Sequence, residues 1–444
     1  MRFEELIQQQ ADAFFKHITP KTKIRIISHL DADGLSSAAI LVKLLQKYTF
    51  KLSIVPSLNE TTVLQHETDQ AFIISDLGSG QLSILNKLNK PTLVLDHHEI
   101  ENTTLKDHLY HINPRLVGLD GNKEISGAGV VYALAKHLQQ HSSALAKIAV
   151  IGALGDIQDD FIGYNGNILQ DAQVNIQQTL KIYGLHSKPL VKALTHGDLY
   201  IPGVSKNSGG AERFLLGLGI STKLGNAPIT YTDLTSGEKE KLIDGIIRRR
   251  KECENPQDIF WNTYFLDHQK DAREVATLLN ACGRLSKPSI GVGMLLQDDQ
   301  YVRLAHIVAD AYKKKIIDAL KWFKSADEQF VIKQDKLLII RAKDNILDTM
   351  IGTLASILSN DNSIEEGTVI LSMAHSTHDK TKVSMRVAGD KTDSDLSSIM
   401  KDLIEKMGCG QSGGHACAAG AVIDRNKEDV LISLAQQMLI AQKT

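Results

Sequence analysis

The chain has 444 residues, 43% of them hydrophobic, with 50 Lys plus Arg against 52 Asp plus Glu and a formal net charge of -2. At roughly 150 residues per domain that length exceeds one core and implies two or three, and the apolar fraction argues against a chain dominated by disorder. The balanced charge excludes a global basic field, so any grip on nucleic acid must come from a local groove.

The N-terminal MRFEELIQQQADAFFKHI is amphipathic and lacks the apolar core of about 7–15 residues that a signal peptide needs. No run of about 18 apolar residues occurs, so no membrane span is expected. The four cysteines, Cys253, Cys282, Cys409 and Cys417, form no CxxC pair and are too few for a disulfide framework, which points to a reducing cytoplasm.

Taken in chain order, KIRIIS (23–28) reads as a buried strand and GLSSAAILVKLLQKY (34–48) as a helix with apolar residues at helical spacing. KLSIV (51–55), AFIIS (71–75) and PTLVL (91–95) are further strands, with helices near 81–88, 127–140 and 143–154. Short apolar strands alternating with helices predict a doubly wound parallel sheet over residues 1–190. Residues 191–328 are mostly helical, with charged faces such as EKEKLIDGIIRRRKE, and read as an insert or bridge. Residues 329–444 return to mixed patterns and predict a smaller α/β domain: FVIK, KLLIIRA, TVILSM and KVSMRV as strands, NILDTMIGTLASILS and SDLSSIMKDLIEKM as helices. A glycine-rich stretch, GCGQSGGHACAAG (408–420), follows the last of these.

Polar groups stand where the apolar runs of the first domain stop. His29, Asp31 and Asp33 follow KIRIIS, Asp76 follows AFIIS, Asp96-His97-His98 follow PTLVL, and Asp156 ends KIAVIGALG. Taken singly, each reads as a turn or helix cap. Four such clusters at strand ends share one edge of a parallel sheet, where ligands of this architecture bind. Carboxylates brought that close raise one another's pKa unless cations neutralise them. Carboxylate oxygen and imidazole suit Mn2+ or Mg2+, and two such ions can serve phosphoester hydrolysis.

HLDADG, the DLG after a strand, LDHH and GALGD resemble the four motifs of the DHH phosphoesterase superfamily. SGGH (412–415), with SMR (384–386) before it, is similar to the substrate-binding element of that superfamily's C-terminal accessory domain. Within the superfamily the chain most resembles archaeal RecJ-like single-strand exonucleases, including the GINS-associated type. The resemblance implies that His29 and Asp31 bind one metal, that Asp76 bridges both, and that Asp33, His97 and Asp156 bind the second. It implies that Asp96 orients the imidazoles from behind, as outer partners of metal ligands do, and that His98 lies beside the scissile phosphate. It implies an exonuclease cutting single-stranded DNA 5′ to 3′, or RNA, in replication or repair. Phosphodiesterases of short oligoribonucleotides or cyclic dinucleotides, and replisome scaffolds of the same fold, are the alternatives. The single-stranded nucleic acid is then the partner in the site, and a GINS-like replisome protein the partner of the helical middle.

In the accessory element Gly413 and Gly414 leave backbone amides open to a phosphate oxygen, and Ser412, His415 and Arg386 stand ready to add hydrogen bonds. GCGQSG also matches GxGxxG, but a helix precedes it where a dinucleotide site needs a strand. Arg115, in NPR (113–115), is placed to hold a phosphate. Ser126, Gly127 and Gly129 open a helix, with Ser126 as its N-cap or an anion at its N-terminus. RRRK (248–251) and KKK (313–315) read as solvated helix faces, His196 and Asp198 as imitations of the first motif, His375 and His378 as surface groups, and Cys409 and Cys417 as packed thiols.

Overall fold

The computed structural model describes residues 1–440 apart from Glu67, His268, Gln269, Asn362, His378, 390–394 and Ala416; for Gln411, His415 and Ile440 it describes the backbone alone. The chain forms two compact units, 1–283 with 287–305, and 284–286 with 306–444.

The first unit begins with α1 (Phe3–Phe15), β1 (Lys23–His29), α2 (Ala32–Leu44), β2 (Thr49–Val55), α3 (Glu60–Leu64), β3 (Ala71–Ser75), α4 (Leu82–Leu85), β4 (Thr92–Leu95) and β5 (Leu109–Ile112). Three helices follow, α5 (Gly127–His137), α6 (Ser143–Gly155) and α7 (Gly163–Ala172). The five strands make one sheet in the order β2-β1-β3-β4-β5, every pair parallel. Ile26, Ile27, Ile73, Ile74, Leu93 and Val94 are fully buried, because helices cover both faces of such a sheet. The chain winds from β1 to β2, then crosses back to β3 and on to β5. The direction of winding reverses between β1 and β3, and a crevice opens there beyond the strand ends. Strand β5 is not among the predicted elements. LYHI is a short, half-polar run in which Tyr110 is only partly buried and His111 is a buried polar group.

The middle is mostly helical, as expected, but it is not one uniform insert. Ahead of the expected boundary at 190 lies β6 (Asn175–Leu180), and the middle then holds α8 (Leu190–His196), α9 (Ser208–Gly217), the short hairpin β7 (Lys223–Leu224) and β8 (Ala227–Pro228), α10 (Ser236–Arg249) and β9 (Phe260–Phe265). Helices α11 (Ala272–Arg284), α12 (Pro288–Leu295) and α13 (Asp299–Ser325) follow. Strands β6 and β9 pair antiparallel. NIQQTL exposes its first four residues, so no alternation betrays it as a strand. Leu180, Leu194, Ile201, Phe214, Leu242, Ile246 and Ile259 belong to a core of their own. Helix α12 instead packs on α2, and Asn280 of α11 accepts the amide of Ala32 at 3.0 Å.

The second unit contains β10 (Val331–Gln334), β11 (Leu337–Lys343), α14 (Asp348–Ser359), β12 (Val369–His375), β13 (Lys380–Val387), α15 (Leu396–Met407), β14 (Gln411–His415), β15 (Ala418–Asp424) and α16 (Glu428–Ile440). Its six-stranded sheet has the order β10-β11-β12-β13-β15-β14. β11 and β12 run parallel, and the other described pairs run antiparallel. One face carries the core of Leu371, Val383, Met385, Met400 and Leu431, the other that of Ile340, Ile351, Leu354 and Ile370. Among the described residues no helix is long and apolar enough to cross a membrane.

Candidate metal centre

His29 is the last residue of β1, and Asp31 and Asp33 enter α2. Asp76 follows β3, and Asp96, His97 and His98 follow β4. KIAVIGALG lies in α6, the helix expected near 143–154, and Asp156 is its C-cap, so three strand ends and one helix end build the site instead of four strand ends. A helix C-terminus carries partial negative charge, which adds to the acidity gathered there.

Two carboxylates are held by helix N-termini. Asp31 caps α2, its Oδ1 accepting the Gly34 amide at 3.0 Å. Asp33 is buried and accepts from Ser126 Oγ at 2.9 Å, the Gly127 amide at 2.6 Å and the Ala128 amide at 2.9 Å. The anion at the N-terminus of α5 is therefore the Asp33 side chain, and Ser126 is at once N-cap and donor to it. This close approach needs glycine: a Cβ on Gly127 would collide with Asp76 Oδ1, and one on Gly152 with Asp33 Oδ1.

Asp76 is the pivot. It is 1% exposed, yet neither of its oxygens has a hydrogen-bond partner. Its backbone sits at φ 58, a left-handed conformation that strains a residue with a side chain. Oδ1 lies 3.2 Å from His97 Nε2, and Oδ2 lies 3.6 Å from His29 Nδ1. His97 Nδ1 donates to Gly121 O at 2.7 Å. A carbonyl can only accept, so Nδ1 carries the proton and neutral His97 presents a bare Nε2 lone pair. That nitrogen also lies 3.3 Å from Asp156 Oδ2 and 3.8 Å from Asp33 Oδ2. His29 Nδ1 stands 2.8 Å from Asp31 Oδ2 without hydrogen-bond geometry. Four buried polar atoms, His29 Nδ1, both Asp76 oxygens and His97 Nε2, thus face one another unsatisfied.

The electrostatics carry the same signature. Burial, with Asp33 and Asp31 beside it, pushes the Asp76 carboxyl well above the usual range. Burial and Asp33 do the same to Asp156. Asp33 rises through burial, although His97 opposes the shift. Burial lowers the affinity of His29 and His97 for protons, but the facing carboxylates outweigh it and both pKa values rise. Every one of these groups lacks positive charge, which protons or cations would supply. The donor set of carboxylate oxygen and imidazole nitrogen fits divalent cations of the Mn2+ type. His29, Asp31 and Asp76 form one group able to hold an ion, and Asp33, Asp76, His97 and Asp156 another, the donor atoms in each within 4.8 Å of one another. Asp76 is common to both.

Asp96 sits behind the pair of imidazoles but does not orient both, which corrects the expectation. Its Oδ1 accepts the His97 amide at 2.8 Å and His98 Nδ1 at 2.7 Å, and Oδ2 accepts the Ser79 amide at 2.8 Å. The His97 ring is set by Gly121 O instead. Burial and His97 lower the His98 pKa, Asp96 raises it more, and the net shift is upward. The His98 side chain is 41% exposed, so its outer nitrogen is open to a ligand. Arg115 is neither free nor a plain surface arginine. It donates to His97 O at 3.0 Å and Asn122 Oδ1 at 2.9 Å and pairs with Glu99 at 2.6 Å. A phosphate would have to share it or displace Glu99.

Sequence reasoning misses the frame around these groups. Gln158 donates to Gly121 O at 2.9 Å, and Asn165 donates to Gln158 at 2.7 Å, so a buried polar chain holds the carbonyl that holds His97. Ser79 and Asn113 play the same part behind Asp96 and His98. Lone polar residues of this kind carry no periodic signal.

In the second unit, strand register aligns Arg386 with Ala418 and Ala418 with His415. Arg386 donates to Ser356 Oγ, Ser384 Oγ and Met385 O. Burial, then Arg284, lowers its pKa. Ser412, Gly413 and Gly414 are exposed on β14, the edge strand, not in a turn. A Cβ on Gly413 would meet nothing, whereas one on Gly414, at φ 140, would strike Ala418 O. The His415 side chain lies outside the described residues, as does His378.

The His375 side chain is 12% exposed and lies between Asp344 and Glu428, so it is no surface group. Cys417 is exposed and Cys409 half-buried, so these are not packed thiols. Arg250 is not a free solvated cation: it is half-buried and donates to the carbonyls of Tyr200, Asn255 and Pro256.

A doubly wound sheet with a carboxylate–histidine group, able to hold metal, beyond the ends of its strands defines the class of α/β protein to which the chain belongs. Family models agree: the DHH family N-terminal domain matches residues 23–155, the DHH-CID domain 182–259 and the DHHA1 domain 334–441. The chain belongs to the DHH superfamily and is RecJ-like. An uncharacterized protein of Methanocaldococcus jannaschii is 29% identical over 432 residues, 94% of this chain and 93% of that one. The crystal structure of RecJ from Thermus thermophilus in complex with Mn2+ has the same fold at a TM-score of 0.56 and 17% identity. It matches 97% of this chain, which spans about half (53%) of that longer protein. CDC45 from Entamoeba histolytica matches over 97% of both chains at a TM-score of 0.61 and 14% identity.

Proposed function

We propose that the protein is a single-strand-specific exonuclease, cutting DNA 5′ to 3′ with RNA as a second substrate, and acting in replication or repair. The observation that supports the metal-dependent phosphodiesterase core of this reading is the set of unsatisfied buried atoms on His29, Asp76 and His97, which divalent cations would satisfy. His29, Asp31 and Asp76 would hold one divalent ion, Mn2+ or Mg2+, and Asp33, Asp76, His97 and Asp156 the other. Such ions, when bound, neutralise phosphate oxygens and acidify water. The Mn2+ in the Thermus RecJ crystal supports the choice of metal.

The chain's own residues do the rest. Gly121, Gln158 and Asn165 keep the His97 lone pair aimed at the carboxylates. Asp96 keeps the His98 proton on Nδ1 and its outer nitrogen turned outward, where it would meet a phosphate oxygen. Arg386, Ser412, Gly413, Gly414 and His415 would hold a substrate phosphate on the accessory domain. The test is end-labelled DNA and RNA single strands with Mn2+, Mg2+ or EDTA. Cleavage that needs the metal supports the reading, and no cleavage with any divalent ion contradicts it.

Two other readings stay in view. A phosphodiesterase of short oligonucleotides or cyclic dinucleotides would turn over a 2-mer faster than a 30-mer. The helical middle speaks for the longer substrate. The likeness to CDC45 along the whole chain favours an added scaffold role, with the middle docking a GINS-like replisome partner. Unchanged recovery of that partner after deletion of the middle would refute the docking.

A further inference from the structure

Ile157 stands out beside the metal centre. It follows Asp156 directly, one Cα step of about 3.8 Å away, and the residue is 80% exposed. Its backbone lies at φ 59. A β-branched residue in the left-handed region is an outlier, and Asn or Gly would sit there with far less strain. The conformation is imposed from both sides. Asp156 is tied into the carboxylate–imidazole group, with Oδ2 3.3 Å from His97 Nε2. Gln158 is buried and donates to the carbonyl that holds His97. Between two neighbours whose side chains are held in the site, Ile157 is turned outward, and it is a large aliphatic residue. Strain held by surrounding structure at a site is a pointer to a role.

We infer that Ile157 is a substrate platform: the apolar face of a nucleoside, sugar or base, packs on it when the adjoining phosphate lies at the metal centre. This rests on the phosphodiesterase reading above and deepens it. A substrate that places an apolar ring next to its phosphate gains from Ile157. A bare polyphosphate gains nothing.

The experiment compares wild type with Ile157→Asn and Ile157→Gly, which accept the same backbone, and with Ile157→Leu, which keeps the apolar surface. KM and kcat are measured with Mn2+ on a labelled 30-nucleotide strand, Kd by anisotropy on the same strand, and Tm for every variant. The expected result is a KM and Kd about tenfold higher for the Asn and Gly variants, worth about 1.4 kcal/mol. Their kcat should stay within about twofold and their Tm at or above wild type, with most of the affinity restored in the Leu variant. An unchanged KM and Kd, or a loss that appears only in kcat, overturns the platform while leaving the nuclease reading intact. Wild-type protein that neither binds nor cuts the strand overturns both.

Discussion

At the residue scale the account turns on Asp76, a buried carboxylate with strained backbone and no hydrogen-bond donor. Asp76→Asn keeps the shape and removes the charge. Cleavage by this variant should fall by more than the roughly 100-fold lost with an outer partner of a metal ligand. Its Tm in EDTA should rise by a few degrees, since like-charge crowding is relieved. A variant that loses activity and Tm together would mark Asp76 as structural. His111 offers a pH test. Burial pushes its pKa down to about 4, from 6.5, and it shares a 2.9 Å hydrogen bond with Ser79. Between those two values the unfolded chain binds a proton that the folded chain refuses, so this group makes stability fall as pH drops from 6.5 toward 4. The stability gap between wild type and His111→Gln should therefore shift by about 3 kcal/mol against wild type over that window. Denaturant unfolding at pH 7 and pH 4 measures it, and a gap independent of pH would refute it.

At the element scale, the strands and helices that deliver the site are largely legible in the sequence, and their supports are not. β3 and β4 are almost wholly apolar because both faces of the sheet are covered, β1 is so apart from Lys23, Arg25 and its end, and each is followed at once by polar site residues that periodicity cannot absorb. Asp156 is legible too, at the end of the helix expected near 143–154, although grouping it with the strand ends hides that a helix delivers it. β5 and β6 give no clear signal because one is short and half-polar and the other is mostly exposed. Gly127 and Gly152 look like ordinary helix residues, and only the packing of α5 and α6 against Asp76 and Asp33 shows why a side chain cannot stand there. Gly127→Ala tests this. Its Cβ would run into Asp76 Oδ1 and sit 2.8 Å from Asp76 Cβ. We expect a loss of about 1–3 kcal/mol in stability, as for other overpacked cores, together with weaker Mn2+ binding. A variant of wild-type stability and Mn2+ affinity would show that α5 yields more easily than the packing implies.

At the scale of the whole molecule, the chain divides into a unit that carries the carboxylate–histidine centre and a unit that carries the Arg386 and glycine element. A ligand that binds only one folded unit stabilises only that unit. Mn2+ at 100 times its Kd should add about 2.7 kcal/mol to the first unit and leave the second where it was. Thermal unfolding followed by hydrogen exchange in each unit reads this, and equal stabilisation of both would count against a centre confined to the first.

The most direct test of the central claim, that six side chains from separate elements converge to hold a pair of divalent cations, is calorimetric titration of metal-free protein with Mn2+. The account predicts about two ions bound per chain in wild type and fewer, more weakly held, in Asp76→Asn. Saturable binding that ignores this substitution, or no binding at all, would contradict it.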